Sequence, residues 1–212
     1  MPRQNRVTPT GQIIATPERG MFLGNRGVLH DDQGRIRRAW QLKRWLICLL
    51  DFKGRRRVVM TPGRYTELFF LDEATGLAAG HRPCAECRRD RFDAFRTAWL
   101  SGNPRIVESQ KLYAPILDDH LHTERSAPDR SKLLYPANLD ELPNGVFIRR
   151  HALGDEVHLV WDDRLLIWSP GGYQGSQPRP KGEDVLVLTP KSIVGAIRAG
   201  YTPQIHPSAG IG

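Results

Sequence analysis

Leu68 to Cys87 reads LFFLDEATGLAAGHRPCAEC, and the order of signals inside it predicts an α+β fold. Leu68 to Leu71 is a short run of large apolar residues, the length of a buried strand. Asp72 stands where a helix N-cap belongs, with its carboxylate within reach of the amides of the first turn. Glu73 to Ala79 continues as a helix, and Gly80 supplies the left-handed residue that ends one. His81-Arg82-Pro83 then leads into Cys84-Ala85-Glu86-Cys87. The spacing puts this pair of cysteines at the mouth of a second helix, Glu86 to Leu100. Phe92, Phe95 and Trp99 form one stripe of that helix and face the core, with Arg88, Arg89, Arg91 and Arg96 largely elsewhere.

Upstream, Arg44 to Phe52 (RWLICLLDF) is apolar at alternate and intervening positions alike, which predicts a central strand buried on both faces. Lys53-Gly54 turns the chain and Val58 to Met60 returns it. Residues 1–10 are polar and read as a disordered basic tail; Gln12 to Ala15 starts a short strand. Downstream, Pro115 suits the first turn of a third helix ending near Arg125. Residues 126–145 carry Pro128, Pro136 and Pro143 and read as an irregular connector. Glu156 to Trp161 and Arg164 to Trp168 flank Asp162-Asp163 as a hairpin. Residues 169–183 read as a Gly/Pro-rich loop, Val185 to Leu188 as a strand, and Lys191 to Ala199 as a helix stopped by Gly200. The expected fold is therefore α+β: mixed and antiparallel strands, a CxxC knuckle leading into a helix, and a C-terminal part rich in β-hairpins. After the tail, residues 11–212 read as one unit, with a knuckle-bearing part (11–100), a helix and connector (101–145) and a β-rich part (146–212), because no linker is long enough to separate two domains.

The 212 residues hold three cysteines, two of them adjacent in the motif, so a disulfide scaffold is excluded and a reducing, cytoplasmic setting is expected. No segment has the length of a membrane helix, and the first ten residues lack the apolar core of a signal peptide. Lys and Arg outnumber Asp and Glu by 31 to 23, a net charge of +8. Most of the positive charge is arginine, whose planar fork matches phosphate oxygens. A nucleic acid is the expected partner, DNA ahead of RNA. Four arginines are candidates for phosphate contact: Arg26 in the loop Gly24-Asn25-Arg26-Gly27, and Arg82, Arg88 and Arg89 around the cysteines. The plainer reading of Arg26 is a solvated residue at a hairpin turn. Arg55-Arg56-Arg57, at the turn after the central strand, is either a phosphate-contacting finger or a solvated tip. Trp168 to Tyr173 is a base-stacking loop or a turn whose aromatics cover the core edge.

Two thiols three residues apart, entering a helix, can bind one metal ion, and the helix N-terminus favours the thiolate that ligation requires. A structural zinc ion takes four ligands, so Cys84 and Cys87 need others. Cys48, His81, His120 and His122 are the candidates. Cys48 reads as a core cysteine on the apolar strand. His81 is close to Cys84 in sequence, and only one of His120 and His122 can point at a site from a helix. The expected set is Cys84, Cys87 and His122 around zinc. A metal-free pair of buried cysteines and a thiol redox motif are the alternatives.

The run from Phe69-Phe70 through Ala79-Gly80-His81-Arg82-Pro83-Cys84-Ala85-Glu86-Cys87 resembles the zinc-binding N-terminal domain of Ada-type DNA methyl-phosphotriester repair proteins. The resemblance covers about a tenth of the chain and implies a small α/β zinc module, a role in DNA repair, and zinc-ligand roles for Cys84 and Cys87. In that family an earlier cysteine pair supplies two more ligands, one of them the methyl acceptor. The matching stretch here, Met60 to Thr66, has no cysteine.

Asp118-Asp119-His120-Leu121-His122-Thr123-Glu124-Arg125 gathers polar chemistry on the third helix. A carboxylate beside a histidine fixes its tautomer and raises its basicity, so Asp119 and His122 are candidate catalytic residues of a metal-dependent hydrolase. The cysteine pair, Asp119-His120 and Asn138 also loosely resemble an HNH nuclease. The plainer reading is a solvated helix face with intrahelical pairs, with Asn138 a turn residue.

Overall fold

The computed structural model describes residues 1–54, 58–106, 112–150, 154 and 156–210. Among them are four α-helices and two six-stranded sheets, an α+β arrangement as expected. The first sheet is built from β1 (Gln4–Val7), β2 (Ile13–Ala15), β3 (Phe22–Asn25), β4 (Leu46–Cys48), β5 (Leu68–Phe70) and β6 (Arg82–Pro83), in the order β2-β1-β5-β3-β4-β6. Its β1–β5 and β4–β6 pairs are parallel and the rest antiparallel. Between β5 and β6 lies α1 (Glu73–Ala78), capped by Asp72, whose side chain accepts from the Thr75 amide. Gly80 ends it at φ +95°; a Cβ there would also strike the Arg125 side chain at 2.5 Å, so the position needs glycine twice over.

The helices α2 (Arg89–Gly102) and α3 (Ala114–Arg125) follow, then β7 (Tyr135–Asn138), β8 (Phe147–Arg149), β9 (Val157–Trp161), β10 (Arg164–Ser169), β11 (Gly172–Pro178), β12 (Asp184–Val187) and α4 (Lys191–Arg198). The second sheet is wholly antiparallel, in the order β11-β10-β9-β8-β12-β7. Phe92, Phe95 and Trp99 of α2 are buried as the stripe predicts. α2 crosses α4 closely, because a Cβ on Gly102 would sit 2.1 Å from the Gly195 carbonyl oxygen. One apolar cluster joins Ile47, Leu68 and Phe70 of the first sheet to Ile148, Val160 and Val187 of the second.

Several expected segments differ, for identifiable reasons. Residues 1–10 are not a tail: β1 pairs with β2 and β5, burying Asn5 and Val7 at alternate positions. Residues 169–183 are not all loop, since β11 runs through them, and the connector 126–145 contains β7. Both are the outer strands of the second sheet, where Pro136 and Pro178 leave no unmet donor inside the ladder. The segment 44–52 contributes only Leu46–Cys48 as strand; Ile47 is fully buried while Leu49 and Leu50 are 37% and 51% exposed. The second helix begins at Arg89, three residues later than its periodicity suggests, because Cys84 to Arg88 form a turn. Trp168 and Tyr173 face each other across the β10–β11 hairpin, and their Nε1–H and O–H donate to Thr75 Oγ1 and Asp72 Oδ2. They seal the core edge. Arg55-Arg56-Arg57 lie outside the described residues.

Two acidic residues at the start of α1 tie the halves of the chain together. Asp72 also accepts from the His206 amide at 3.1 Å. Glu73, fully buried, meets Arg88 at 3.0 Å and Arg91 at 2.6 Å, and accepts from the Tyr201 hydroxyl and the Gln204 amide. Removing one partner of such a buried network leaves uncompensated charge. Glu73→Ala should therefore lower unfolding stability by about 3–5 kcal/mol, read from urea denaturation at neutral pH. A loss no greater than that of an exposed substitution would show that the network is not a structural tie.

Candidate metal centre

The site is assembled by strand pairing. β3 and β4 are in register with Leu23 opposite Cys48, and β4 runs parallel to β6 with Ile47 opposite Pro83. The Arg82 amide donates to the Trp45 carbonyl at 3.1 Å and the Cys84 amide to the Ile47 carbonyl at 2.9 Å. Cys84 thereby arrives beside Cys48. The chain then turns, with the Arg88 amide donating to the Cys84 carbonyl at 3.1 Å, and Cys87 folds back over the pair just before α2.

The Sγ atoms of Cys48, Cys84 and Cys87 all lie within 4.8 Å of one another. A tetrahedral ion with metal–sulfur bonds of about 2.3 Å separates its sulfurs by about 3.8 Å, so the three need only small rotations to share one. Backbone amides support the sulfurs: Leu49 N–H points at Cys87 Sγ at 3.5 Å and Glu86 N–H at Cys84 Sγ at 3.4 Å. The three cysteines border a cleft of about 410 Å³ that Arg44, Tyr65, Arg82 and Asp118 also line. Donor chemistry and spacing both suit a metal ion. Three protein ligands beside a cleft leave a fourth position to a small ligand or water.

Without a cation, the three thiols settle their charge among themselves. Hydrogen bonds from Cys48 and Cys87, with the amides of Cys87 and Glu86, hold the Cys84 thiol far below its ordinary value. The Cys48 thiol is pushed far up, first because its proton is held by Cys84 and Cys87, then by burial. Cys87 also ends above its ordinary value: the bond with Cys48 lowers it, but that with Cys84 and burial outweigh this. One negative charge is easily accommodated, and further charges require a cation.

The third sulfur corrects the expected ligand set. Cys48 is not a mere core residue, and His122 is not with the cysteines: no imidazole belongs to the one close trio of candidate ligands among the described residues. His122 packs edge-on against Trp40 at 4.5 Å, with an Arg125 Nη2 at 3.5 Å from its Nδ1. Burial, then Arg125 and Lys43, lower its pKa. Asp119 is exposed, pairs with Lys43 at 2.8 Å and acts on His122 through its charge, which raises the imidazole against the larger lowering effects. His120 pairs with Glu124 at 3.2 Å. His81 is fully buried, between Trp45 and Phe70. Asn138 accepts from the Asp140 amide and starts a 3-10 turn, the plainer of its two readings.

Of the four arginines expected to meet phosphate, only Arg89 is on the surface. Arg82 is 2% exposed and grips Asp118 with two bonds of 2.8 and 2.7 Å, its guanidinium over the Phe92 ring. Arg88 is buried against Glu73 and Phe22. Arg26 is 1% exposed and lies over Trp45. The physical reason is common to all three: a guanidinium with a carboxylate or an aromatic face beside it is readily buried. Alternation along β4 could have flagged Cys48, since Arg44, Leu46 and Cys48 share one face and all line the cleft.

No protein-family model matches the chain, and no curated protein or solved structure matches it either.

The proton sharing has a measurable consequence. The metal-free protein should show the ultraviolet absorbance of about one thiolate per chain, constant between about pH 5 and 8, where an ordinary cysteine stays protonated. Cys84→Ser should abolish that plateau. A titration rising only near the ordinary thiol value would contradict the arrangement.

Proposed function

We propose that this chain is a zinc–thiolate protein that acts on nucleic acid, with Cys48, Cys84 and Cys87 as the metal ligands. The observation that carries the reading is the convergence of three sulfurs, from two separate segments of chain, on the wall of an open cleft. Three thiols at this spacing favour a soft-ligand metal, and zinc is the common choice for such donors. Bound zinc would keep the thiolates deprotonated at neutral pH and hold β4 to the turn before α2.

Two further observations support the nucleic-acid part. The chain carries a net charge of +8, and exposed Arg44 lines the cleft while Arg89 sits on the surface next to the cysteine turn. The resemblance of residues 69–87 to Ada-type repair domains favours DNA repair as the setting. Cys48 gives that resemblance an earlier cysteine, upstream of the stretch where the family pattern places one. Asp119 and His122 have no part in this reading, because neither belongs to the close trio of sulfurs and Asp119 is paired with Lys43.

Elemental analysis of protein purified without a histidine tag should find about one zinc ion per chain. Cys48→Ser and Cys84→Ser should each lose the metal, and His122→Ala should keep it. Affinity should fall with acidification, since ligation displaces thiol protons. Metal-free native protein, or full metal content in Cys48→Ser, would refute the site. Duplex DNA should bind the zinc-loaded protein at low salt, more weakly in Arg44→Ala; no binding at low salt would refute the nucleic-acid part alone.

A further inference from the structure

The face of β4 opposite the cysteines carries Trp45, and around it the protein buries positive charge in no ion pair among the described residues; Asp118, held by Arg82, offsets Arg125 only through its field. The guanidiniums of Arg26 and Arg125 lie over the Trp45 ring, each 4.1 Å from its centroid. Their exposures are 1% and 2%. Lys132, half-buried, drives its ammonium inward to the Ala78 carbonyl at 2.6 Å. Every hydrogen-bond partner of the three is neutral. Arg26 donates to His81 Nε2 and to the Gly11 and Ala39 carbonyls, and Arg125 to the Gly80 and Lys43 carbonyls, with the His122 ring alongside. None forms an ion pair among the described residues, in contrast to Arg82 with Asp118 and Arg88 with Glu73.

These groups open on a cavity of about 680 Å³. Arg130 adds positive charge to its lining, which among the described residues contains no Asp or Glu. Three buried donors of lining residues have no partner among the described residues: Arg26 Nη2, Arg125 Nε and Trp40 Nε1. Burial depresses all three inner cations, to about 9 for Arg26 and Arg125 and about 7 for Lys132, and mutual repulsion adds to the last two. An unpaired buried cation is unfavourable, and three together are more so. A bound anion would supply both the missing charge and the missing acceptors.

The geometry points to a phosphate monoester with a flat apolar body, of the nucleoside monophosphate class, as the ligand of this cavity. Each guanidinium keeps one unpartnered nitrogen, Arg26 Nη2 and Arg125 Nε, and with the Lys132 ammonium these suit the two charges and several oxygens of a phosphate better than a single carboxylate does. Trp40, Trp168, Leu134 and Val157 supply apolar wall, and the volume lies within the range of small-ligand sites. The site shares no lining residue with the cysteine cleft, so it stands whether or not the chain binds zinc.

Calorimetric titration of the full chain tests this, with a nucleoside monophosphate, inorganic phosphate and the parent nucleoside as probes. The monophosphate should bind at least about tenfold more tightly than inorganic phosphate, and the nucleoside should give no heat. Lys132→Met keeps the stem and removes the charge. It should retain or raise the melting temperature of the free protein and weaken the monophosphate at least about tenfold. Arg130→Gln, at the exposed rim, should weaken it less. A 5′-phosphorylated single strand compared with its unphosphorylated form tells whether the phosphate comes from a free nucleotide or a strand end: preference for the phosphorylated strand assigns the end, equal strands with a bound monophosphate assign the free nucleotide. Absence of binding by every phosphate probe, equal binding of nucleoside and monophosphate, inorganic phosphate binding as tightly as the nucleotide, or unchanged affinity in Lys132→Met would each overturn the assignment.

Discussion

Two amide bonds, from Arg82 to the Trp45 carbonyl and from Cys84 to the Ile47 carbonyl, position everything of chemical interest in this protein. They pair β4 with β6 over only two residues, yet they decide which side chains meet. Cys48 and Cys84 come together on one face. On the other, Trp45 comes within stacking distance of His81, at 5.0 Å between ring centroids. A one-residue slip in this register would exchange the faces, parting the sulfurs and placing Trp45 in the cleft. Ile47, fully buried and packed within the main apolar cluster, resists that slip.

So short a pairing cannot hold itself, and the surrounding polar network explains its stability. Arg82, the first residue of β6, is fixed by two bonds to Asp118 on α3. Burial raises the Asp118 carboxyl above its ordinary value, while Arg82 and Arg125 pull it down. Arg88, one residue past Cys87, is fixed by Glu73 on α1 and by Gln204 near the C-terminus. The cysteine turn is thus clamped on both sides by buried arginine–carboxylate pairs. Such pairs add little net stability compared with apolar packing, but they are directional. Here direction is what matters: three sulfurs must face one point.

Much of the fold was legible because its signals are local. Asp72 as a cap, Gly80 and Gly200 as stops, the α2 stripe and the hairpin at Asp162-Asp163 all depend on neighbours within a few residues. The misreadings share the opposite character. β1 and β11 lack apolar runs and are strands only because a partner strand lies beside them. Cys48 looked like core because its neighbours Leu46 and Leu50 are apolar, yet Leu50 is exposed and the thiol turns to Cys84 and Cys87, far along the chain. The paired cysteines themselves were visible, being adjacent in sequence. Their third companion is hinted at by alternation along β4, but its meeting with the pair is fixed by strand register, which a single sequence does not display.

The arginines carry the most instructive discrepancy. Net charge was read as a property of the surface, but Arg26, Arg82, Arg88 and Arg125 are among the most buried polar residues. Two of them, Arg82 and Arg88, are neutralised by buried carboxylates, so they add nothing to the excess. Arg26 and Arg125 have no such partners and belong to the excess itself. Part of the +8 is therefore stored inside the fold, around one tryptophan. Charge on the outside steers a polyanion and is screened by salt. Charge inside is screened far less and selects a ligand small enough to enter. Burial therefore divides the positive charge that composition reports into an exposed part, which acts at the surface, and an interior part gathered around Trp45.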